Sequence, residues 1–291
     1  MSSADVADTD ALTCDVCPHH CKIRTGGLGF CRARTVRDGQ IVPENYGRVT
    51  SIAVNPIEKK PIAEWHPGSK VLSVGSYGCN MRCPFCQNYE ISQVGADMVG
   101  FGWQDIAPEE LVATGVRLAE DDPSMIGLAY TYNEPLIGWE YVRDCSTLAH
   151  KSGLANVLVS NGCAQEWVVE ALAPLLDAAN IDLKCFSREG YASLGGNFDA
   201  VKATIQRLAE LPTCHLEVTT LIVPGISDSK KDMRKISRWL ADLDPEIVLH
   251  VTRFFPRWRM SSGRPTPVAT VRELAEVASE SLEHVHVGNC W

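Results

Sequence analysis

From residue 71 onward, short apolar runs alternate with amphipathic stretches, and no other feature limits the fold so tightly. The runs are VLSVGSY (71–77), MIGLAYT (125–131), NVLVSN (156–161), NIDLK (180–184), HLEVTTLIV (215–223) and IVLHVT (247–252). They lack polar alternation, as strands buried on both faces do. Helical periodicity lies between them. Val201, Ile205, Leu208 and Ala209 share one face of 199–211, and Met233, Ile236, Trp239, Leu240 and Leu243 share one face of 229–243. Pro108, Glu109 and Glu110 open a helix over 108–120, where proline suits the first turn and acids suit the dipole. A final helix over 270–282 leads to VHVGN (285–289), a short extra strand. Six βα repeats predict a parallel sheet with right-handed crossovers. Six are too few to close an eight-fold barrel. The expected fold class is therefore α/β, a partial (β/α)6 TIM-type barrel, with a flat doubly wound sheet as the competing arrangement. A chain of 291 residues suits one such unit plus a small appendage.

Twelve cysteines are many for a chain of this size. A secreted protein would pair them in disulfides. The opening MSSADVADTDALTCD lacks the basic and apolar regions of a signal peptide, and no apolar run approaches a membrane span, so a cytoplasmic protein with no membrane partner is expected. The spacing points to metal instead. Seven cysteines fall into two tight groups, 14/17/21/31 and 79/83/86. The scattered ones suit small core positions, with Cys163 and Cys185 kept as pocket candidates because each follows a strand. A net charge of −9 argues against a broad nucleic-acid-binding face, leaving one local basic patch, RFFPRWRM (253–260). The chain divides into a polar, disordered tail (1–12), a small N-terminal cysteine-rich metal module (13–40), an irregular bridging segment (41–70) and the barrel (71–291).

Residues 79–86 read CNMRCPFC, directly after an apolar, β-branched stretch that ends in glycine. Three thiolates, Cys79, Cys83 and Cys86, can hold three corners of a four-iron cluster, where ferredoxin-type clusters take four. The fourth iron is left open, by the logic of the open position in a catalytic zinc site. A structural zinc site or buried free thiols are the plainer reading. The spacing, the aromatic Phe85 and the position after a strand resemble the radical SAM superfamily. That resemblance implies a [4Fe-4S] cluster that reduces S-adenosylmethionine (SAM), releasing a 5′-deoxyadenosyl radical that takes hydrogen from a substrate.

The strand ends supply the remaining site residues, since function in such barrels sits there. Gln87 and Asn88 follow the cysteine loop, and TYNEP (131–135) follows the second strand. In the superfamily a motif here, often Gly-Gly-Glu-Pro, holds the SAM ammonium. In this chain Tyr132 and Asn133 replace the glycines while Glu134 and Pro135 match, and a carboxylate suits an ammonium. Glu134 as an ordinary acid at a helix N-terminus is the alternative. Ser160 and Asn161, in the turn SNG, would by resemblance meet the ribose or the methionyl carboxylate. Alternation puts Asp182 and Lys184 on one face of the fourth strand, where buried charges need partners. The same D-x-K pattern belongs to the pyruvate formate-lyase activating enzyme branch, where it contacts SAM; a structural ion pair is the alternative. VPGISDS (223–229) resembles that branch too, and its glycine suits close approach to a ligand. Phe255, Arg257 and Trp258 are expected where substrate lies, and His250 is a weaker candidate there, better read as a satisfied core histidine.

Cys14, Cys17, Cys21 and Cys31 fit one tetrahedral metal site. Structural zinc holding a segment too small for its own core is one reading, and the one favoured; a second iron–sulfur cluster is the other. CPHHC with GGLGFCRAR, then NPIEKKP and TYNEP, resembles the radical SAM protein of the AmmeMemoRadiSam system from about residue 14 to the end. The implied reductant is a ferredoxin or flavodoxin, and the substrate a small molecule or a partner protein. Two other functions fit parts of the pattern: an activating enzyme for a glycyl radical enzyme, and a non-catalytic metal-binding scaffold within a complex.

Overall fold

The computed structural model describes residues 11–98 and 102–290. The tail expected over 1–12 lies outside the described residues as far as residue 10, as does Trp291. Eight strands form one sheet: β1 (Ser51–Pro56), β2 (Lys70–Gly75), β3 (Met125–Tyr130), β4 (Ala155–Ser160), β5 (Ala178–Asp182), β6 (His215–Ile222), β7 (Val248–Arg253) and β8 (Val285–Gly288). Their spatial order follows the chain from β1 to β8. Strands β2 to β8 pair in parallel, and β1 pairs antiparallel with β2, so the sheet is mixed. Among the described residues the edge strands β1 and β8 do not pair with each other, so the sheet is not a closed barrel. A doubly wound sheet reverses its strand order at a switch point, and this one does not. Without reversal, right-handed crossovers send every connecting helix to the same face.

Those helices are α1 (Pro108–Asp121), α2 (Trp139–Lys151), α3 (Glu166–Leu172), α4 (Phe198–Ala209), α5 (Lys230–Leu243) and α6 (Val268–Ala278). Ser229 and Asn197 cap α5 and α4 by accepting from backbone amides of Asp232 and Ala200. The opposite face of the sheet is covered by the connection between β1 and β2. Its Ile57 and Ile62 are fully buried against Val71, Ala129, Val157 and Ala178. The Asn180 amide donates to the Pro61 carbonyl at 2.7 Å. Glu217, fully buried, accepts from the amides of Ala63 and Glu64 at 2.8 and 2.9 Å, from His215 at 2.9 Å and from His250. His250 is thus the satisfied core histidine.

Two differences from the sequence reading have physical causes. Residues 51–56 are not an irregular bridge but the antiparallel edge strand β1. Most of its side chains are exposed, so it lacks the buried apolar run that marks the other strands. Arg34–Arg37 pairs with Gln40–Pro43 in a two-residue hairpin. Its turn, Asp38-Gly39, has positive φ at both positions (51° and 71°), as the hairpin's twist requires.

Gly127 sits where β3 meets β4, and a Cβ there would lie 2.0 Å from the Ala155 carbonyl oxygen. Gly127→Ala is expected to force the strands apart and lower stability by about 3 kcal/mol, read as a shifted urea midpoint. An unchanged midpoint would show that the backbone there yields without cost.

Candidate functional site

The chain leaves β2 at Gly75 and enters the cysteine loop at Cys79, at the C-terminal edge of the sheet. Cys79, Cys83 and Cys86 face a cavity of about 280 Å³. Each sulfur has a donor or cation beside it. Cys79 Sγ accepts from the Met81 amide at 3.3 Å and from the Asn161 side chain at 3.6 Å. Cys86 Sγ shares a hydrogen bond with the Ser92 hydroxyl at 3.1 Å. Cys83 feels the Lys184 ammonium. Burial pushes the Cys83 thiol up to about 11 and Cys79 well above its ordinary value. A metal that binds thiolate overcomes such a cost. All cysteines among the described residues are free thiols.

The other residues singled out at the strand ends line the same cavity: Phe85, Asn88, Asn133, Glu134, Ser160, Asn161, Asp182 and Lys184. Several are engaged before any ligand arrives. Glu134 is 2 % exposed. One carboxylate oxygen accepts from the Leu136 amide at 2.9 Å and the Ser160 hydroxyl at 2.7 Å, the other from the Asn161 amide at 2.8 Å. A carboxylate has about four acceptor positions, so one remains. Burial raises the Glu134 carboxyl to about 7 against these three donors. Asn133 spends its side chain on backbone groups, accepting from Ser76 at 2.9 Å and donating to Tyr77 and Gly78 at 3.2 Å. Both residues therefore bracket the strand ends and also border the cavity.

Asp182 and Lys184 form an ion pair of 3.0 Å. Burial works against the Lys184 charge, but Asp182 and Cys83 outweigh it and hold the ammonium protonated. The D-x-K pair thus borders the same cavity as the cysteines of the loop.

Sequence reasoning missed Asn80 and Ser92, and read Tyr132 only as the replacement of a glycine. Asn80 is fully buried; its side chain donates to the Cys163 carbonyl at 2.5 Å and accepts from Asn161 at 2.9 Å. Tyr132 lies in the left-handed region (φ 73°), its hydroxyl donating to Asn55 at 2.8 Å and its ring 4.7 Å from the Lys60 ammonium. Burial lowers Lys60 to about 8. The phrase NPIEKKP thereby braces the second strand end, a contact no spacing rule reveals.

Several expectations are corrected. Cys163 and Cys185 are buried outside the cavity, because the chain turns away at Gly162 (φ 68°) and Leu183 points into the core. Residues 223–229 do not line the cavity but form a turn leading into α5, in which Gly225 takes a positive φ of 77°. Phe255, Arg257 and Trp258 do not line the cavity either. Trp258 stacks on Tyr89 at 5.9 Å, and the Arg259 amide donates to Pro84, so this segment braces the cysteine loop from outside. Asn289, near the C-terminus, does reach the cavity.

Cys14, Cys17 and Cys31 are buried and Cys21 is half-buried. Among the described residues, one group of three side chains brings its ligating atoms within 4.8 Å of one another: Glu246, Glu283 and His284, largely exposed. It is a potential metal-coordinating group that the sequence reading did not single out. No three of the four N-terminal sulfurs come that close together. No helix among the described residues is long and apolar enough to cross a membrane.

A model of the radical SAM superfamily matches residues 73–240. An uncharacterized protein of Methanocaldococcus jannaschii is 35 % identical over 294 residues, covering 97 % of this chain and 82 % of that protein. The pyruvate formate-lyase-activating enzyme of Clostridium pasteurianum is 23 % identical over 182 residues, covering 61 % of this chain and 71 % of that enzyme. Streptococcus suis SuiB bound to its precursor peptide SuiA has a similar fold, with a TM-score of 0.55 at 13 % identity, covering 79 % of this chain and 51 % of SuiB.

Proposed function

The chain belongs to the radical SAM superfamily and is a radical SAM enzyme, an oxidoreductase in class, and from that premise we propose that the cavity at the strand ends holds a [4Fe-4S] cluster and SAM. The observation that carries this is the meeting of Cys79, Cys83 and Cys86 with Asp182 and Lys184 around one cavity. When bound, cluster and SAM supply one-electron cleavage of a carbon–sulfur bond, giving a 5′-deoxyadenosyl radical that abstracts hydrogen from the substrate. The chain's own residues bind, orient and exclude water. The three thiolates hold three irons and leave one open. Phe85, 4 % exposed, seals the loop side. The remaining acceptor position of Glu134 takes the SAM ammonium, and the Asp182–Lys184 pair presents both charges to the zwitterionic methionyl end. Ser160, Asn161, Asn133 and Asn88 shape the wall between.

The parallel strands are best understood as the partial (β/α)6 barrel, edged by the antiparallel strand β1 and preceded by a cysteine-rich metal module (13–40). The ordered phrases CPHHC, NPIEKKP and TYNEP support the AmmeMemoRadiSam branch, near the pyruvate formate-lyase activating enzymes. A ferredoxin or flavodoxin supplies the electron. SuiB, similar in fold, is bound to a precursor peptide, which favours a peptide or protein over a small molecule as substrate. A second reading, activation of a glycyl radical enzyme, is favoured by the similarity to the clostridial activating enzyme. A glycyl radical signal on a candidate partner, seen by electron paramagnetic resonance after incubation with the loaded enzyme and SAM, would select it.

Lys184→Met tests the SAM pocket. A hydrogen bond to a charged group is worth about 1.5–3 kcal/mol, so SAM affinity should fall about tenfold or more in equilibrium dialysis while iron content stays at the wild-type level. Unchanged affinity would remove Lys184 from the SAM site.

A further inference from the structure

The four N-terminal cysteines are not used in the site just described. We propose that Cys14, Cys17, Cys21 and Cys31 bind a second iron–sulfur cluster in place of zinc, in direct hydrogen-bonded contact with the first cysteine loop. The coupling rests on the reading of that loop as a cluster site; the identity of the second metal does not.

The donor set is four sulfurs and nothing else. Thr13 pairs with Lys22, the Cys14 amide donates to the Cys21 carbonyl at 2.8 Å and the Phe30 amide to Cys21 Sγ at 3.2 Å, so Cys14, Cys21 and Cys31 are gathered around one hairpin with Cys17 in its loop. The two histidines between them are engaged elsewhere. His19 bonds to the carbonyls of Asn80 and Gly195 at 2.9 and 3.0 Å and stacks on Phe30. His20 pairs with Asp15 and Gln165. Four thiolates are the complement of a four-iron cluster. They also suit zinc, but the spacing separates the two. Zinc–sulfur bonds of about 2.3 Å in a tetrahedron put sulfurs about 3.8 Å apart. No three of these sulfurs lie within 4.8 Å of one another. That spacing is wider than the one a single zinc ion imposes on its sulfurs. A backbone amide also aims at one of the sulfurs, Phe30 donating to Cys21 Sγ at 3.2 Å. Such bonds stabilise clusters and set their potentials.

The contact with the first loop is made by single hydrogen bonds. The Cys79 amide donates to the Cys31 carbonyl at 3.2 Å. The Asn80 carbonyl bonds to His19, between Cys17 and Cys21, at 2.9 Å, and the Asn80 side-chain oxygen accepts from the Asn161 side-chain amide, which lies 3.6 Å from Cys79 Sγ. Arg82 binds the Cys79 carbonyl at 2.7 Å and the Phe30 carbonyl, spanning both segments. Each cluster exchanges single electrons with a low-potential donor of the ferredoxin or flavodoxin class, with no bond made or broken. Two paramagnetic centres this close perturb one another's spectra.

The test is metal and sulfide analysis of anaerobically reconstituted full-length protein, supplied with both iron and zinc, for wild type, Cys17→Ala and Cys83→Ala. The wild type should carry about eight irons per chain and no stoichiometric zinc, and each variant about four. In dithionite-reduced wild type, electron paramagnetic resonance should show spin–spin broadening that both variants lose. One zinc with about four irons in the wild type would overturn the proposal, and that count needs no variant to fold. Eight irons without broadening would overturn the coupling. Iron that survives in full in Cys83→Ala but vanishes in Cys17→Ala would instead overturn the reading of the first loop and support the N-terminal cluster.

Discussion

Cys83→Ala is expected to lose the iron held at the first loop, about four atoms per chain, and all detectable SAM cleavage. The loop offers three sulfurs, and a cluster already short of one protein ligand cannot be kept by two. The effect should be confined to the site. Cys83 is buried, but replacing a thiol with a methyl group removes one heavy atom, so circular dichroism and the unfolding midpoint should change little. Lys184→Met, which leaves the three ligands in place, should keep its iron. A Cys83→Ala protein that binds the full first-loop iron and still turns over SAM would mean that the loop is not the cluster site.

Glu217→Ala is expected to be the most damaging single change to the fold. The carboxylate is fully buried, and it joins β6 to the β1–β2 connection through two backbone amides and to two histidines. Removing one member of a buried charged network costs about 3–5 kcal/mol, because its partners are left unsatisfied. The melting temperature should fall by about 10 °C. The network also predicts a pH dependence. Burial raises the Glu217 carboxyl, but hydrogen bonds from His215, His250, Glu64 and Ala63 outweigh it and hold it at about 2, against an ordinary 4.5. A carboxyl with a depressed folded value stabilises the fold above its unfolded value and loses that contribution as pH falls through the folded one. Its contribution, of order 3 kcal/mol, should therefore be present above pH 4.5 and disappear toward pH 2. Urea midpoints between pH 5 and 3 should fall more steeply for wild type than for Glu217→Gln. Parallel slopes would show that Glu217 does not carry the acid sensitivity.

Where the sequence was explicit, local chemistry was the reason. The runs from 71 to 252 were legible as strands because a parallel sheet buries both faces, and observed boundaries differ from those expected by one or two residues at most ends. The cysteine loop and the D-x-K pair were legible because ligand spacing and strand alternation are local properties. Strand β1 was not, because an exposed edge needs no apolar run. Nor was the double duty of Glu134 and Asn133, whose partners come from residues 76, 77, 78, 136, 160 and 161 and meet only after folding. Residues 223–229 and 255–258 were expected at the cavity because they follow strands. A strand end fixes where a loop starts, but the loop's own turns decide whether its side chains enter.

The most direct test is mass spectrometry of the products formed from SAM by anaerobically reconstituted, chemically reduced protein. 5′-Deoxyadenosine that forms with wild type and is absent with Cys83→Ala is the predicted result. Methylthioadenosine in its place would contradict it by showing that a different carbon–sulfur bond breaks. No product from a protein carrying its full cluster and bound SAM would contradict it as well, and would favour a metal-binding scaffold.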